Sequence, residues 1–116
     1  MQHRDRIILK KIILEINKGF IFLGDTTLEE FLSNEMLKYA IAMDIINIGE
    51  LVKSLTPEFR SKNNQIAWKD IAGFRDIAAH KYEILRMNQV YNTVKKDFPE
   101  LKIQIEKILE AEEKAE

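Results

Sequence analysis

Leu37-Lys38-Tyr39-Ala40-Ile41-Ala42-Met43-Asp44-Ile45-Ile46-Asn47-Ile48-Gly49-Glu50-Leu51-Val52-Lys53-Ser54-Leu55 is the stretch that decides the fold. Leu37, Ile41, Ile45, Ile48, Val52 and Leu55 recur at spacings of three and four, the seam of a helix packed in an antiparallel bundle. Ser33 or Asn34 can cap its start, and Thr56-Pro57 marks its end. Asp44, Asn47 and Glu50 interrupt the apolar pattern and read as the solvated side of this helix, the alternative being that they line a cleft shared with the Arg75–Tyr82 segment. A seam of this length must be buried by other helices, so the rest of the chain should supply them.

On the N-terminal side, Ile8, Ile12, Ile16 and Phe20 fall four apart, and Leu9 and Ile13 widen the stripe into a helix from about Arg4 to Leu23. Gly24-Asp25-Thr26 ends it, and Thr27 with Glu30 forms a capping-box pattern for a short helix through Phe31 and Leu32. On the C-terminal side, Pro57 suits the first position of a short helix. The polar loop Ser61-Lys62-Asn63-Asn64-Gln65 then separates the two halves. A fourth helix is expected from Trp68 to His80, and a fifth takes in Met87, Val90, Tyr91 and Val94. Pro99 opens a last helix striped by Leu101, Ile105, Ile108 and Leu109, and the acidic tail, residues 110–116, is expected to fray. With four glycines and two prolines in all, the chain reads as all-α. The expected architecture is an up-and-down helical bundle of four principal helices plus one or two short ones.

The 116 residues suffice for a single domain, with 46% hydrophobic and 32% charged residues as in ordinary folded proteins. The absence of cysteine removes disulfides, thiolate nucleophiles and cysteine-type zinc sites, and the two histidines, His3 and His80, stand in no metal-ligand spacing. Neither a metal nor another cofactor is expected. No apolar run is long enough to span a bilayer, and the charged opening points to a cytoplasmic protein. A net charge of −1 gives no global attraction for nucleic acid. Locally the balance shifts: from Arg75 to Lys102 six basic residues face four acidic ones, so any RNA contact should centre there, on Lys81 and Arg86 beside the motif described next.

Arg75-Asp76-Ile77-Ala78-Ala79-His80-Lys81-Tyr82 carries the chemistry. An arginine fork holds two phosphate oxygens, and histidine exchanges protons near neutral pH, so together they suit transesterification of an RNA phosphodiester that leaves a 2′,3′-cyclic phosphate. Asp76, four residues before His80, can orient the imidazole, and Tyr82 can stack on a base. On one straight helix Arg75 and His80 diverge by roughly 140°. A two-fold homodimer that pairs this helix with its copy would bring two arginines and two histidines to a shared cleft. The plainer reading is a capping histidine and a surface ion pair on an amphipathic helix, with Trp68, Ile71, Phe74, Ile77 and Ala78 as core or interface.

At these residues the chain resembles the HepT-like toxins of the HEPN superfamily, which accompany a minimal nucleotidyltransferase antitoxin in type VII-like toxin–antitoxin modules. Besides Arg75, His80 and Tyr82, the resemblance rests on Arg4-Asp5, Phe31, Ile48-Gly49-Glu50, Trp68-Lys69-Asp70-Ile71 and Phe98-Pro99-Glu100-Leu101, and it covers nearly the whole chain. It implies a helical homodimer and a metal-independent endoribonuclease that cleaves tRNA or mRNA at the dimer interface. Arg75 and His80 would be catalytic there, with Asp76 supporting. It also implies that Tyr82 is the acceptor for AMP added by the nucleotidyltransferase, which blocks the cleft with bulk and negative charge. The sequence departs from the common family pattern at Asp76, more often Asn; at Ala67, often Pro; and at Arg86 and Tyr91, where Asp and Trp are common. A second class of function is a non-catalytic helical subunit that binds nucleotide or docks a nucleotidyltransferase.

Overall fold

The computed structural model describes residues 1–115. The helices are α1 (His3–Leu23), α2 (Leu28–Leu32), α3 (Glu35–Lys53), α4 (Pro57–Lys62), α5 (Trp68–His80), α6 (Met87–Asn92) and α7 (Phe98–Ala115). Local chemistry sets most of these boundaries. The Thr27 hydroxyl accepts from Glu30 N while Glu30 accepts from Thr27 N, which completes the capping box of α2. Asn34 caps α3 through Leu37 N, and Thr56 caps α4 one residue before Pro57. As expected from the sequence, the fold is all-α with four long helices, α1, α3, α5 and α7.

The molecule is two helix layers deep, 19 Å in its shortest dimension. In one layer α3 lies between α1 and α5, antiparallel to both; α6 and α7 cover the back of α1 and α3. The seam residues Ile41, Ile45, Ile48, Val52 and Leu55 are all buried, together with Leu9, Ile12, Ile16, Phe31 and Ile105. Each fully buried aliphatic side chain of this kind contributes on the order of 1.5–3 kcal/mol. Asp5 ties the layer's end: it is 1% exposed and accepts from Thr56 N at 2.9 Å and Thr56 Oγ1 at 2.7 Å, while Arg4 Nε donates to the Ser54 carbonyl. Thus Arg4-Asp5 fastens the start of α1 to the α3–α4 joint.

Two expectations are corrected. Pro99 does not open a separate helix, because α6 and α7 run on through a π-helical turn, Thr93–Asp97. Pro99 has no N–H for the carbonyl one turn back, and a π turn just before it absorbs the irregularity without ending the helix. Asp44 does not lie on the solvated side of α3. It is 2% exposed and faces α1, where Gly19 leaves room for it: a Cβ on Gly19 would stand 2.6 Å from Asp44 Oδ2 and 2.8 Å from the Phe98 ring. Asn47 and Glu50 are exposed as expected. Of the tail expected to fray, residues up to Ala115 are helical, with Glu112 near the Met1 amino group at 3.6 Å; Glu116 lies outside the described residues.

Candidate active site

The site begins with the absence of a side chain. Gly49 sits on the face of α3 that meets α5, and a Cβ there would collide with Cβ and Cγ of Arg75. Glycine lets the arginine stem cross α3 at close range, so the guanidinium emerges beside the next residue, Glu50. Arg75 Nη2 lies 2.5 Å from Glu50 Oε1, and Arg75 Nη1 lies 3.1 Å from Asp76 Oδ1. Lys53, one turn further along α3, contacts the same Asp76 oxygen at 2.5 Å. Two cations and two carboxylates therefore form one network across α3 and α5. Lys53, then Arg75, hold the Asp76 carboxyl below its usual range.

The arginine head is half-buried and oriented from two sides, which limits its rotamers and leaves it facing a defined patch. An incoming phosphate would compete with Glu50 for the guanidinium. Asp76 bonds Lys53 and Arg75 and makes no contact with His80, because the two cations attract the carboxylate more strongly than an imidazole does. The orienting role expected for Asp76 on His80 is thus not met within one chain. His80 is the last residue of α5, exposed on the outward side, and forms no hydrogen bond or ion pair among the described residues. Arg75 turns toward α3 and His80 away from it, so one chain does not bring them together.

After α5, the Lys81 N–H bonds the Ile77 carbonyl and the chain enters a single 3₁₀ turn, Tyr82–Ile84. This turn sends the Tyr82 ring back onto α3, where it stacks on Tyr39 with centroids 4.8 Å apart and planes 9° from parallel. Burial, reinforced by the negative charge that Tyr39 and Glu35 would present, pushes the Tyr82 phenol above its usual pKa. Lys81 and Arg86 are exposed on either side of the turn. Among the described residues no three acidic or imidazole side chains gather as a metal ion requires. A groove of about 630 Å³ between α5 and α6–α7, lined by Ile48, Ile71, Phe74, Lys96 and Leu101, includes neither Arg75 nor His80.

Sequence reasoning missed Gly49, Lys53 and Tyr39 as neighbours of the motif; for Glu50 it favoured a solvated face, and the alternative, that it lines the cleft beside the motif, agrees with its contact to Arg75. Their signal was an unusual Gly-Glu pair inside a buried helix and an aromatic residue on its exposed side.

Comparisons with known proteins give the family. A protein of Methanocaldococcus jannaschii whose name joins a gamma-glutamylcyclotransferase to a candidate RNase is 38% identical over 90% of this chain, and the chain spans only 47% of that relative's length. A candidate RNase of Caldanaerobacter subterraneus subsp. tengcongensis is 35% identical over 88% of this chain and 86% of its own. A protein of Thermococcus cleftensis named "Probable ribonuclease HepT" is 30% identical over 75% of this chain and 79% of its own. No solved structure matches the chain. The family described as ribonuclease HepT-like matches residues 11–108, a span that contains α3, the Gly49–Arg75 contact and the whole Arg75–Tyr82 motif, and the chain therefore belongs to the HepT-like ribonuclease family.

Proposed function

We propose that this protein is a metal-independent endoribonuclease whose active site is completed by a second copy of the chain. The observation that carries the reading is the split between Arg75, anchored against α3, and His80, exposed and unengaged on the outer side of α5. Around His80 that outer side is open and partly apolar. Ile77 is 42% exposed, and nothing lies within 4 Å of where a Cβ on Gly73 would stand. Two copies of α5 can approach closely along Gly73, Ile77 and His80 and place the histidines beside one another.

In the shared cleft, Arg75 and the partner's Arg75 hold non-bridging oxygens of the RNA phosphate and stabilise the added charge of the pentacoordinate transition state. One His80 takes the proton of the ribose 2′-hydroxyl as its oxygen bonds to phosphorus. The partner's His80 returns a proton to the departing 5′-oxygen as that bond breaks. The products are a 2′,3′-cyclic phosphate and a free 5′-hydroxyl. Lys81 and Arg86 add local charge for the strand, whose source is tRNA or mRNA.

The same reading makes the protein a toxin in a toxin–antitoxin module, neutralised by AMP on Tyr82. The Tyr82 oxygen attacks the α-phosphorus of ATP held by a nucleotidyltransferase, pyrophosphate leaves, and the transferase takes up the phenol proton. A tyrosine phenol keeps its proton at neutral pH, and burial of Tyr82 favours the protonated form further, so the transferase supplies the base. The added phosphodiester and adenosine would then put negative charge and bulk in the path of the RNA strand.

The test is cleavage of labelled RNA in the presence of a metal chelator, with product ends read by mass spectrometry. Cyclic phosphate ends are expected, lost in both Arg75→Ala and His80→Ala. Growth inhibition that persists in both variants would favour the non-catalytic docking subunit instead. With an active nucleotidyltransferase, the intact mass should rise by whole AMP units and not in Tyr82→Phe.

A further inference from the structure

Tyr39 lies outside the Arg75–Tyr82 motif, yet it is the residue on which Tyr82 rests. Its ring is stacked on Tyr82 on one side, while the side chain remains 60% exposed. Neither the Tyr39 nor the Tyr82 hydroxyl forms a hydrogen bond among the described residues. The other aromatic side chains near the motif are engaged: Trp68 is buried against Phe59 with its indole N–H on the Asn63 carbonyl, and Tyr91 donates to the Thr26 carbonyl. On α3, Tyr39 shares one exposed stripe with Met43 and Glu50, and Glu50 contacts Arg75. Three turns of helix, about 16 Å, separate the aromatic pair from the guanidinium network.

We propose that the Tyr39–Tyr82 stack is a nucleobase subsite, in which a base of a single-stranded RNA lies on the open face of Tyr39 while a phosphate of the same strand reaches Arg75. This rests on the ribonuclease reading for the identity of the strand, and it adds the class of RNA taken. A paired base has both faces covered by its neighbours, so only an unpaired one can continue the tyrosine stack. The hydroxyls carry no base-specific hydrogen-bond pattern here, and stacking accepts any base. The subsite therefore selects unpaired RNA without selecting sequence. Exposed Lys81, next to Tyr82, supplies positive charge for the backbone between the two points. Adding AMP to Tyr82 would place an adenine and a phosphate at this very stack, competing with RNA for the platform.

The experiment measures fluorescence anisotropy of the full chain with a single-stranded 2′-O-methyl RNA, which lacks the attacking hydroxyl, and with the same strand annealed to its complement. Tyr39→Ala should weaken single-strand binding roughly 5- to 150-fold, the worth of one stacked base, while Tyr39→Phe retains it and duplex binding is the same in all three proteins. Equal binding by wild type and Tyr39→Ala, or no binding of the single strand at all, would overturn the subsite. Sedimentation of the same samples covers the other occupant of this stripe: a change of oligomeric state in Tyr39→Ala would make the ring a contact between copies and overturn the proposal. Unmethylated RNA is assayed in parallel. If it binds through Tyr39 but stays uncut, the subsite stands and the ribonuclease reading falls.

Discussion

Replacing Asp44 by Asn should convert a pH-sensitive protein into a less sensitive one, and the size of the effect follows from where the carboxyl sits. Asp44 is 2% exposed between α1 and α3; no N–H or hydroxyl of the described residues donates to its oxygens, and once protonated its own hydroxyl can donate to the Glu15 carboxylate. Burial, followed by the nearby Glu15 carboxylate and opposed by Lys18, pushes its pKa from 3.8 up to about 8. Between those values the folded chain holds a proton that the unfolded chain has released. Stability from this group is therefore complete below about pH 4, falls as pH rises, and is gone above about pH 8. Each pH unit in the window is worth up to about 1.4 kcal/mol, so the loss across it is on the order of a few kcal/mol. Asn has the same shape and cannot ionise. In urea unfolding from pH 4 to 9, Asp44→Asn should gain on wild type steadily up to about pH 8 and then run parallel. For a chain of this size 1 kcal/mol is about 4 °C in Tm, so thermal melts should show the divergence plainly. Curves that keep a constant separation across the window would refute the placement of Asp44 as a buried, proton-bound acid.

Four further substitutions test the scaffold and the site. Gly49→Ala should cost about 1–3 kcal/mol in unfolding free energy and abolish RNA cleavage, because the added methyl collides with the Arg75 stem, whereas Gly73→Ala should leave the fold at least as stable. Glu50→Gln keeps a hydrogen-bonding group at Arg75 but removes the competing charge, so RNA binding measured at low salt should tighten about 2- to 5-fold, and a loss of binding would contradict the competition. Asp5→Ala strips two hydrogen bonds from Thr56 and should lower stability by about 2–3 kcal/mol in chemical denaturation while leaving the geometry of α5 intact.

The helices were legible because each obeys one local rule. The α3 seam keeps its three-and-four spacing, Asn34, Thr27 and Thr56 are good caps, and the α5 limits, Trp68 and His80, agree with the sequence reading. The π turn was hidden because one extra residue per turn barely disturbs the apolar stripe from Val90 to Leu101, and Pro99 is equally at home at a helix start. Burial of Asp44 depends on Gly19, which no periodicity of α3 can report. At the site, Arg75, His80 and Tyr82 were readable as a local motif. What holds them was not: Gly49, Glu50 and Lys53 meet Arg75 and Asp76, and Tyr39 meets Tyr82, only once α3 and α5 lie antiparallel.

In the proposed dimer the outer side of α5 meets its own copy. The chain has no cysteine, so a single introduced thiol reports on this directly. Ile77→Cys places it on the outer face of α5, and Ile103→Cys places it at a comparably exposed position on α7, 53% against 42%. Under mild oxidation Ile77→Cys should form covalent dimers rapidly and Ile103→Cys few. Equal rates for the two, or an Ile77→Cys protein that stays monomeric, would contradict it.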